Sequence, residues 1–253
     1  MKTLSVKNIS KHFGGVTALE NCSFDVSEGE ILGLIGPNGS GKTTMFNVIT
    51  GIHKANSGKV FLKGENIMGW KTHQIAGEGI GRTFQLIRLF PRLTVMDNML
   101  IAMKYIHGQS FWPQLLRKKH VNEEDKAARD RAMELLKLVN LHEKSNDLAE
   151  DLSYGQQKLL EIVRVLASEP KLLLLDEPIA GVNPTMTKQI LGLVKELNGK
   201  GMTIVIIEHN MNVMMNFCDR LVVLDYGKEI AAGKPAQIRN NRKVVEAYLG
   251  RRK

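Results

Sequence analysis

The sequence of 253 residues contains no long apolar run. A membrane-spanning helix needs about 20 consecutive apolar residues, whereas the apolar runs here are short stretches such as 172–175 and 204–207. Residues 1–6 lead into an alternation of apolar and polar residues and show no signal-peptide core. The sequence therefore predicts a chain that does not itself cross a membrane.

Cysteine is also scarce, with two isolated residues, Cys22 and Cys218, far apart in the chain. This spacing predicts neither a disulfide framework nor a cysteine metal site, and it is typical of a protein in a reducing cytoplasm.

Acidic residues are fewer than basic ones, since the chain has 26 aspartates and glutamates and 35 lysines and arginines, which gives a net charge of +9. A positive surface is compatible with nucleic acid, anionic lipid or nucleotide as partner and does not choose among them. Part of the charge is local, because a basic cluster at 117–120 is followed by a polar and acidic one at 122–125. Such opposed clusters are typical of the solvated start of a helix.

Residues 36–44, G-P-N-G-S-G-K-T-T, form the most informative motif in the chain. The spacing of Gly36, Gly41, Lys42 and Thr43 is that of a phosphate-binding loop, with a strand-like apolar run before it and helical apolar spacing after it. The glycines let backbone N–H groups surround phosphate oxygens, and a helix start directs its positive dipole end to the same place. The motif predicts that Lys42 contacts the β and γ phosphates and that the Thr43 hydroxyl binds Mg²⁺.

Short apolar runs separated by helical patterns predict an α/β fold with a mostly parallel sheet that is buried on both faces. Two strands joined at Gly14 and Gly15 are predicted before the phosphate loop, and a strand that ends on a glutamine is predicted at 79–85. Between residues 93 and 166 the pattern changes to helices, although 108–122 predicts no element.

The predicted architecture is therefore a phosphate-loop NTPase core with an N-terminal antiparallel β subdomain and an inserted helical subdomain. One domain, 1–253, would contain the core at 1–92 and 167–253 and the helical subdomain at 93–166. With 43% hydrophobic and 24% charged residues, the chain has the composition and length for such a globular core.

Two further stretches place reactive side chains after predicted strands. Residues 172–177 read L-L-L-L-D-E, so Asp176 would lie at the carboxyl end of a central strand and hold Mg²⁺ or its water, while Glu177 would act on the attacking water. Alone, this run is more typical of a core strand that ends in a polar turn, and it is the phosphate loop that favours the catalytic interpretation. His209 follows a further apolar strand and could donate a hydrogen bond to the γ phosphate, although a lone histidine is often structural.

Residues 152–157, L-S-Y-G-Q-Q, look like the L-S-G-G-Q signature that separates one family from other phosphate-loop proteins. With the motifs above, the chain resembles the nucleotide-binding subunit of an ATP-binding-cassette (ABC) transporter over essentially its whole length. The resemblance implies that Gln85 is the Q-loop glutamine, which senses Mg²⁺ and couples to the membrane partner, and that His209 is the switch histidine. It also implies that Phe13 stacks on adenine, with a core phenylalanine as the alternative.

The resemblance and the residue chemistry together predict an ATPase that binds ATP and Mg²⁺. The predicted catalytic groups are Glu177, His209 and Lys42; the nucleotide contacts are Phe13, Gly36, Asn38, Gly39, Ser40, Gly41, Lys42, Thr43, Thr44, Gln85, Ser153, Gly155 and Gln156; the metal ligands are Thr43, Gln85 and Asp176.

Two positions depart from the family pattern. Tyr154 stands where the signature usually has glycine and adds bulk beside Ser153 and Gly155. Asn183 replaces the usual aspartate of the D-loop, so a charge-dependent contact across a dimer is not expected there. Neither departure removes a catalytic group.

Finer likenesses point to the ATPases of branched-chain amino-acid importers. They are R-T-F-Q at 82–85, R-L-F at 88–90, L-S-Y-G-Q-Q at 152–157, A-G-V-N-P at 180–184, I-E-H-N-M at 207–211 and A-Y-L-G at 247–250. The ATPases of lipopolysaccharide exporters and of urea or short-amide importers are similar as well, so these alternatives stay open.

The resemblance implies a peripheral protein on the cytoplasmic face of the cell membrane. Its partners would be transmembrane permease subunits, a second ATPase subunit of the same or a paralogous chain in a head-to-tail dimer, and indirectly a substrate-binding protein. A soluble cassette protein acting on nucleic acid or ribosomes is supported only by the net charge, and the signature argues against a phosphate-loop kinase. We therefore predict no nucleic-acid partner.

Overall fold

The computed structural model of the protein describes residues 1–104 and 118–249, with side chains except at 104, 118–124 and 249. A helix begins at Lys118, within the charged clusters that predicted a helix start, whereas residue 117 and Gly250 of the C-terminal motif lie outside the described residues. The chain forms two compact units. The first consists of Met1–Arg82, Lys171–Ala180 and Glu196–Lys253, and the second of Thr83–Pro170 and Gly181–Lys195.

The first unit begins with an antiparallel sheet in the strand order β2-β1-β4-β5. Its strands are β1 (Lys2–Phe13), β2 (Val16–Ser27), β4 (Ser57–Leu62) and β5 (Glu65–Asn66). Gly14, at φ 56°, makes the turn between β1 and β2, as its position between two alternating segments predicted. The antiparallel N-terminal sheet is confirmed, and its edge strand β5 is only two residues long.

The second sheet of the first unit has the strand order β10-β9-β3-β8-β7-β6 and is parallel except at the β9–β10 pair. Its strands are β3 (Ile31–Ile35), β6 (Ile80–Arg82), β7 (Leu172–Asp176), β8 (Thr203–Ile207), β9 (Arg220–Asp225) and β10 (Lys228–Gly233). Every residue of β3, β7 and β8 is buried, as expected for continuous apolar runs in a parallel sheet. The carboxyl ends of these three neighbouring strands meet at one edge, and each is followed by a predicted site residue.

Helices alternate with strands along the first unit, and the described part of the second unit is mostly helical. The helices of the first unit are α1 (Lys42–Ile49), α2 (Thr72–Gly77), α7 (Met211–Phe217), α8 (Pro235–Arg239) and α9 (Arg242–Leu249). Those of the second unit are α3 (Val95–Lys104), α4 (Lys118–Leu138) and α5 (Tyr154–Leu166). The chain passes from the second unit to the first within α6 (Pro184–Gly199). Residues 93–166, the predicted helical subdomain, lie within the second unit. No helix in the described part of the chain is long and apolar enough to span a bilayer.

The predicted strand at 79–85 is wrong in its length, because β6 ends at Arg82. Two residues beyond Arg82, the backbone is hydrogen-bonded to a side chain. The N–H of Phe84 donates to the carboxylate of Glu161 at 3.2 Å, so a side chain of α5 takes a bond that a strand would give to its neighbour. Gln85 therefore lies in a loop three residues past the strand.

The core of the first unit joins its two sheets through α1. Phe46 and Met45 of that helix are fully buried among side chains of both sheets, including Leu4 of β1 and Leu174 of β7. Burying a large apolar side chain contributes about 1.5–3 kcal/mol. The helix that follows the phosphate loop is thereby fixed against the strand that ends at Asp176.

Candidate nucleotide site

The phosphate-loop motif forms a backbone cradle between β3 and α1. Gly36, Gly39 and Gly41 have positive φ values of 153°, 77° and 104°. A Cβ at Gly36 would collide with the carbonyl oxygen of Leu224, and one at Gly41 would lie 2.6 Å from that of Ala18. Only glycine fits at these two positions, because the backbone conformation and the surrounding space both exclude a side chain.

Lys42 is the first residue of α1 and is 5% exposed. Its ammonium donates to the carbonyl oxygens of Gly36 and Pro37, both at 2.8 Å, and to the Ser40 hydroxyl at 3.3 Å. Burial lowers the pKa of the Lys42 ammonium, and the nearby carboxylates of Glu177 and Asp176 act in the opposite direction. The positive charge thus lies inside the loop and interacts electrostatically with Glu177, a predicted catalytic acid, and Asp176, a predicted metal ligand.

Asp176 ends β7 and is held by a buried arginine. Its Oδ2 accepts from the Arg82 guanidinium at 3.0 Å, and Arg82 also donates to the Asn47 side chain at 2.8 Å and to the Thr50 hydroxyl at 3.1 Å. Removing one partner of a buried ion pair costs about 3–5 kcal/mol, because the other charge is left uncompensated. Arg82 therefore links the acidic strand end to α1, a link that sequence reasoning missed because the partners are distant in the chain.

Glu177 adopts the left-handed backbone conformation, with φ 51°. A non-glycine residue in this region stores about 1–3 kcal/mol of strain, and such residues cluster at functional sites. The backbone N–H of Glu177 donates to the Ile207 carbonyl at 2.9 Å, and its carboxylate is hydrogen-bonded to His209 Nε2. The structure thus places two predicted catalytic side chains in direct contact.

Glu208 is a third acid in this region and was not predicted as a site residue. It is 4% exposed, and its carboxylate accepts from the N–H of Ile179 at 2.9 Å and from that of His209 at 3.3 Å. Burial raises the pKa of the Glu208 carboxyl. The side chain joins the turn after Glu177 to the backbone of His209. In the sequence, the only indication of this role was that Glu208 directly precedes His209.

Phe13, the predicted adenine contact, ends β1 and is 42% exposed. His53 approaches the ring edge-on at 5.1 Å between centroids, and the Lys11 ammonium lies 4.8 Å from the ring centroid. The ring therefore belongs to a partly exposed cluster and not to the core.

The second unit contains the predicted signature contacts. Ser153 caps α5, since its hydroxyl accepts from the Gln156 N–H at 3.4 Å and its own N–H donates to the Gln156 side chain at 3.0 Å. A Cβ at Gly155 would collide with Met186, so glycine is needed there even with Tyr154 beside it. Asn183 accepts from the Met186 N–H at 2.9 Å, a contact that needs no charge.

The other predicted nucleotide contacts lie in the phosphate loop, in α1 and in the loop after β6. Asn38 and Gly39 are exposed on the phosphate loop, Ser40 is buried within it, and Thr43 and Thr44 lie in the first turn of α1. Gln85 is exposed in the loop after β6. The first unit thus brings together the phosphate loop, Asp176, Glu177 and His209, whereas Gln85, Ser153, Gly155 and Gln156 belong to the second unit.

The residues of the first unit fit a triphosphate and its Mg²⁺. The glycine cradle leaves room for no side chain at its base, a buried lysine supplies positive charge, and a hydroxyl and a carboxylate are oxygen ligands of the kind that Mg²⁺ prefers. Among the described residues, no cluster of three or more His, Cys, Asp or Glu side chains could hold a metal ion.

Comparison with known families gives two matches. The family described as ABC transporter matches residues 19–180, and the one described as branched-chain amino acid ATP-binding cassette transporter matches residues 228–253. The chain is 42% identical, over 98% of its length and 97% of the relative's, to the high-affinity branched-chain amino acid transport ATP-binding protein LivG of Escherichia coli K12.

Solved structures agree with the fold. The ADP conformation of MJ1267, an ATP-binding cassette of an ABC transporter, superposes with a TM-score of 0.86 at 37% identity, covering 99% of both chains. The dimeric structure of MJ0796, a bacterial ABC transporter cassette, has a TM-score of 0.79 at 29% identity and covers 92% of this chain and 98% of its own.

Proposed function

Since this chain belongs to the ABC transporter family of ATP-binding cassettes, we propose that it hydrolyses ATP to power the uptake of branched-chain amino acids through a membrane permease. The observation that carries the proposal is the likeness to LivG over 98% of the chain, which includes the C-terminal match at 228–253. This C-terminal segment is outside the general cassette match, so it supports the importer over the general class.

The proposed chemistry divides among named side chains of the first unit. The phosphate loop binds the β and γ phosphates through backbone N–H groups and Lys42. Glu177 accepts a proton from the attacking water, and His209, which already contacts its carboxylate, orients this base and donates to the γ phosphate.

Thr43, Asp176 and Gln85 would hold Mg²⁺. When bound with ATP, the ion neutralises part of the charge on the phosphate oxygens. Arg82 holds the Asp176 carboxylate through their ion pair at 3.0 Å.

A second ATPase subunit completes each site in this proposal. Ser153 and Gly155 at the start of α5, together with Gln156, would contact the ATP bound to the phosphate loop of the other chain. Helix starts suit this role, because their free N–H groups and positive dipole end attract phosphate. The dimeric MJ0796 cassette, at 29% identity, supports an assembly of two chains.

Permease subunits would hold this dimer at the cytoplasmic face of the membrane, and a substrate-binding protein would act on it indirectly. A ligand shifts a conformational equilibrium only by its differential affinity for the two states. The loaded binding protein would therefore stimulate hydrolysis by favouring one permease state.

The test is the ATPase rate of the assembled transporter in lipid. We expect the rate to rise when binding protein loaded with leucine, isoleucine or valine is added, and to rise less with the same protein free of ligand. Equal rates with loaded and empty binding protein, or assembly of the chain with a lipid-export permease instead, would contradict the amino-acid proposal.

A further inference from the structure

The inward face of α5 carries two buried charges of opposite sign. Lys158 and Glu161 are three residues apart, so they lie on the same face of the helix, and they are 2% and 1% exposed. Burying a charged group costs several kcal/mol unless it is paired and hydrogen-bonded. The groups that these side chains contact therefore decide whether the charges are tolerated.

Both side chains contact the backbone of the loop after β6. Glu161 Oε1 accepts from the Phe84 N–H at 3.2 Å, and the backbone of Arg88 also hydrogen-bonds to this carboxylate. Lys158 Nζ donates to the carbonyl oxygen of Gln85 at 3.2 Å. The carboxylate thus binds the amide before Gln85, and the ammonium binds the carbonyl of Gln85 itself.

Residues 83–90 of this loop belong to neither a helix nor a strand. Besides the two buried charges, the Arg88 guanidinium stacks on the Phe84 ring at 3.8 Å. The Asn98 side chain accepts from the Phe90 N–H at 2.9 Å and donates to the Phe90 carbonyl oxygen at 3.0 Å. Burial raises the pKa of the Glu161 carboxyl, while the bonded Phe84 N–H and the Lys158 charge act in the opposite direction. The Phe84 N–H and the Lys158 ammonium therefore both connect α5 to the loop and oppose the effect of burial on the pKa of this carboxyl.

We propose that Glu161 and Lys158 are positioning residues that fix the backbone on both sides of Gln85 and so hold Gln85 and Ser153 on one rigid piece. Ser153 caps the helix from which both charges project. The inference rests on the proposed function for its consequence in catalysis, since Gln85 and Ser153 act there on opposite ATP sites of the dimer. A shift at Gln85 is then transmitted to the signature residues of the same chain.

Loss of either charge is expected to slow the chemical step and to leave ATP binding intact. A small misplacement of a catalytic contact slows reaction strongly, whereas the phosphate loop, which binds the nucleotide, belongs to the first unit. For Glu161→Ala and Lys158→Met, we expect the ATPase kcat of the assembled transporter to fall about tenfold, with KM for ATP unchanged within about twofold.

Amide hydrogen exchange of the isolated chain tests the positioning directly. Exchange of the Phe84 amide should become about tenfold faster in Glu161→Ala, because a hydrogen bond to a charged group is lost. Glu161→Gln keeps one acceptor oxygen and should restore part of both the protection and kcat. Glu134→Ala removes an exposed acid that pairs with Arg131 on α4, and it should change neither quantity.

A purely structural role predicts a different result. Melting temperature would fall, but exchange at residues 83–88 and kcat per folded molecule would equal the wild-type values, and this outcome would overturn the proposal. If Glu161→Ala does not fold, Lys158→Met and Glu161→Gln carry the test with the same criteria. Exchange does not involve a transported substrate, so lack of stimulation by loaded binding protein in the wild type counts against the proposed function and not against this inference.

Discussion

Glu177→Gln is expected to retain ATP and to lose hydrolysis by a factor of roughly 10² to 10⁴. The substitution keeps the shape of the side chain and removes the group that accepts the proton from water. Glu177 is a candidate base because its carboxylate contacts His209 and because its left-handed backbone, at φ 51°, is held by a hydrogen bond to Ile207. The measurements are steady-state ATPase rate and retention of labelled ATP.

The matched control is Glu196→Gln, which neutralises an exposed acid of α6 that pairs with Lys200. It should hydrolyse ATP at the wild-type rate. If Glu177→Gln also kept that rate, another group would be the base, and Glu208 would be the first to examine, because it contacts the backbone of His209 and Ile179.

Mixed dimers are expected to show that each ATP is held by two chains. With Lys42→Ala in one chain and Ser153→Arg in the other, the shared-site arrangement leaves one site with both halves intact and should trap one nucleotide per dimer. With both changes in the same chain, each site has one defective half and should trap none. The physical reason is that the phosphate loop covers one side of the triphosphate, and the donors at the start of α5 can cover the other.

The amount of trapped nucleotide is the quantity to measure, because two coupled sites could both lose ATP hydrolysis whether the substitutions share a chain or are split between chains. A dimer with Glu196→Gln in one chain provides the control and should trap two. The reverse pattern, with one nucleotide when the changes share a chain and none when they are split, would refute the shared site.

The parts of the fold that the sequence predicted correctly are those set by local chemistry. Continuous apolar runs at β3, β7 and β8 identified a buried parallel sheet, and the glycine spacing at 36–41 identified a loop in which positive φ values are needed. The same reasoning places Asp176 and His209 near the phosphate loop, because parallel strands present their carboxyl ends at one edge.

Contacts between distant residues could not be predicted in this way. Glu161 lies 77 residues after Phe84, yet its carboxylate accepts from the Phe84 N–H just beyond the end of β6 at Arg82. Arg82 and Asp176 are 94 residues apart, so no local sequence pattern predicts their ion pair. A helix as short as α8 (Pro235–Arg239) has too few turns for an apolar period to identify it.

Leucine uptake by transporter reconstituted in vesicles tests the central claim most directly. Binding protein is placed outside and ATP inside, and labelled leucine is counted in the lumen. The proposed function predicts accumulation with the wild-type chain only when ATP is present, and none when Glu177→Gln replaces it. Accumulation at the same rate without ATP, or with Glu177→Gln in both ATPase positions, would contradict the claim that hydrolysis by this chain powers the uptake.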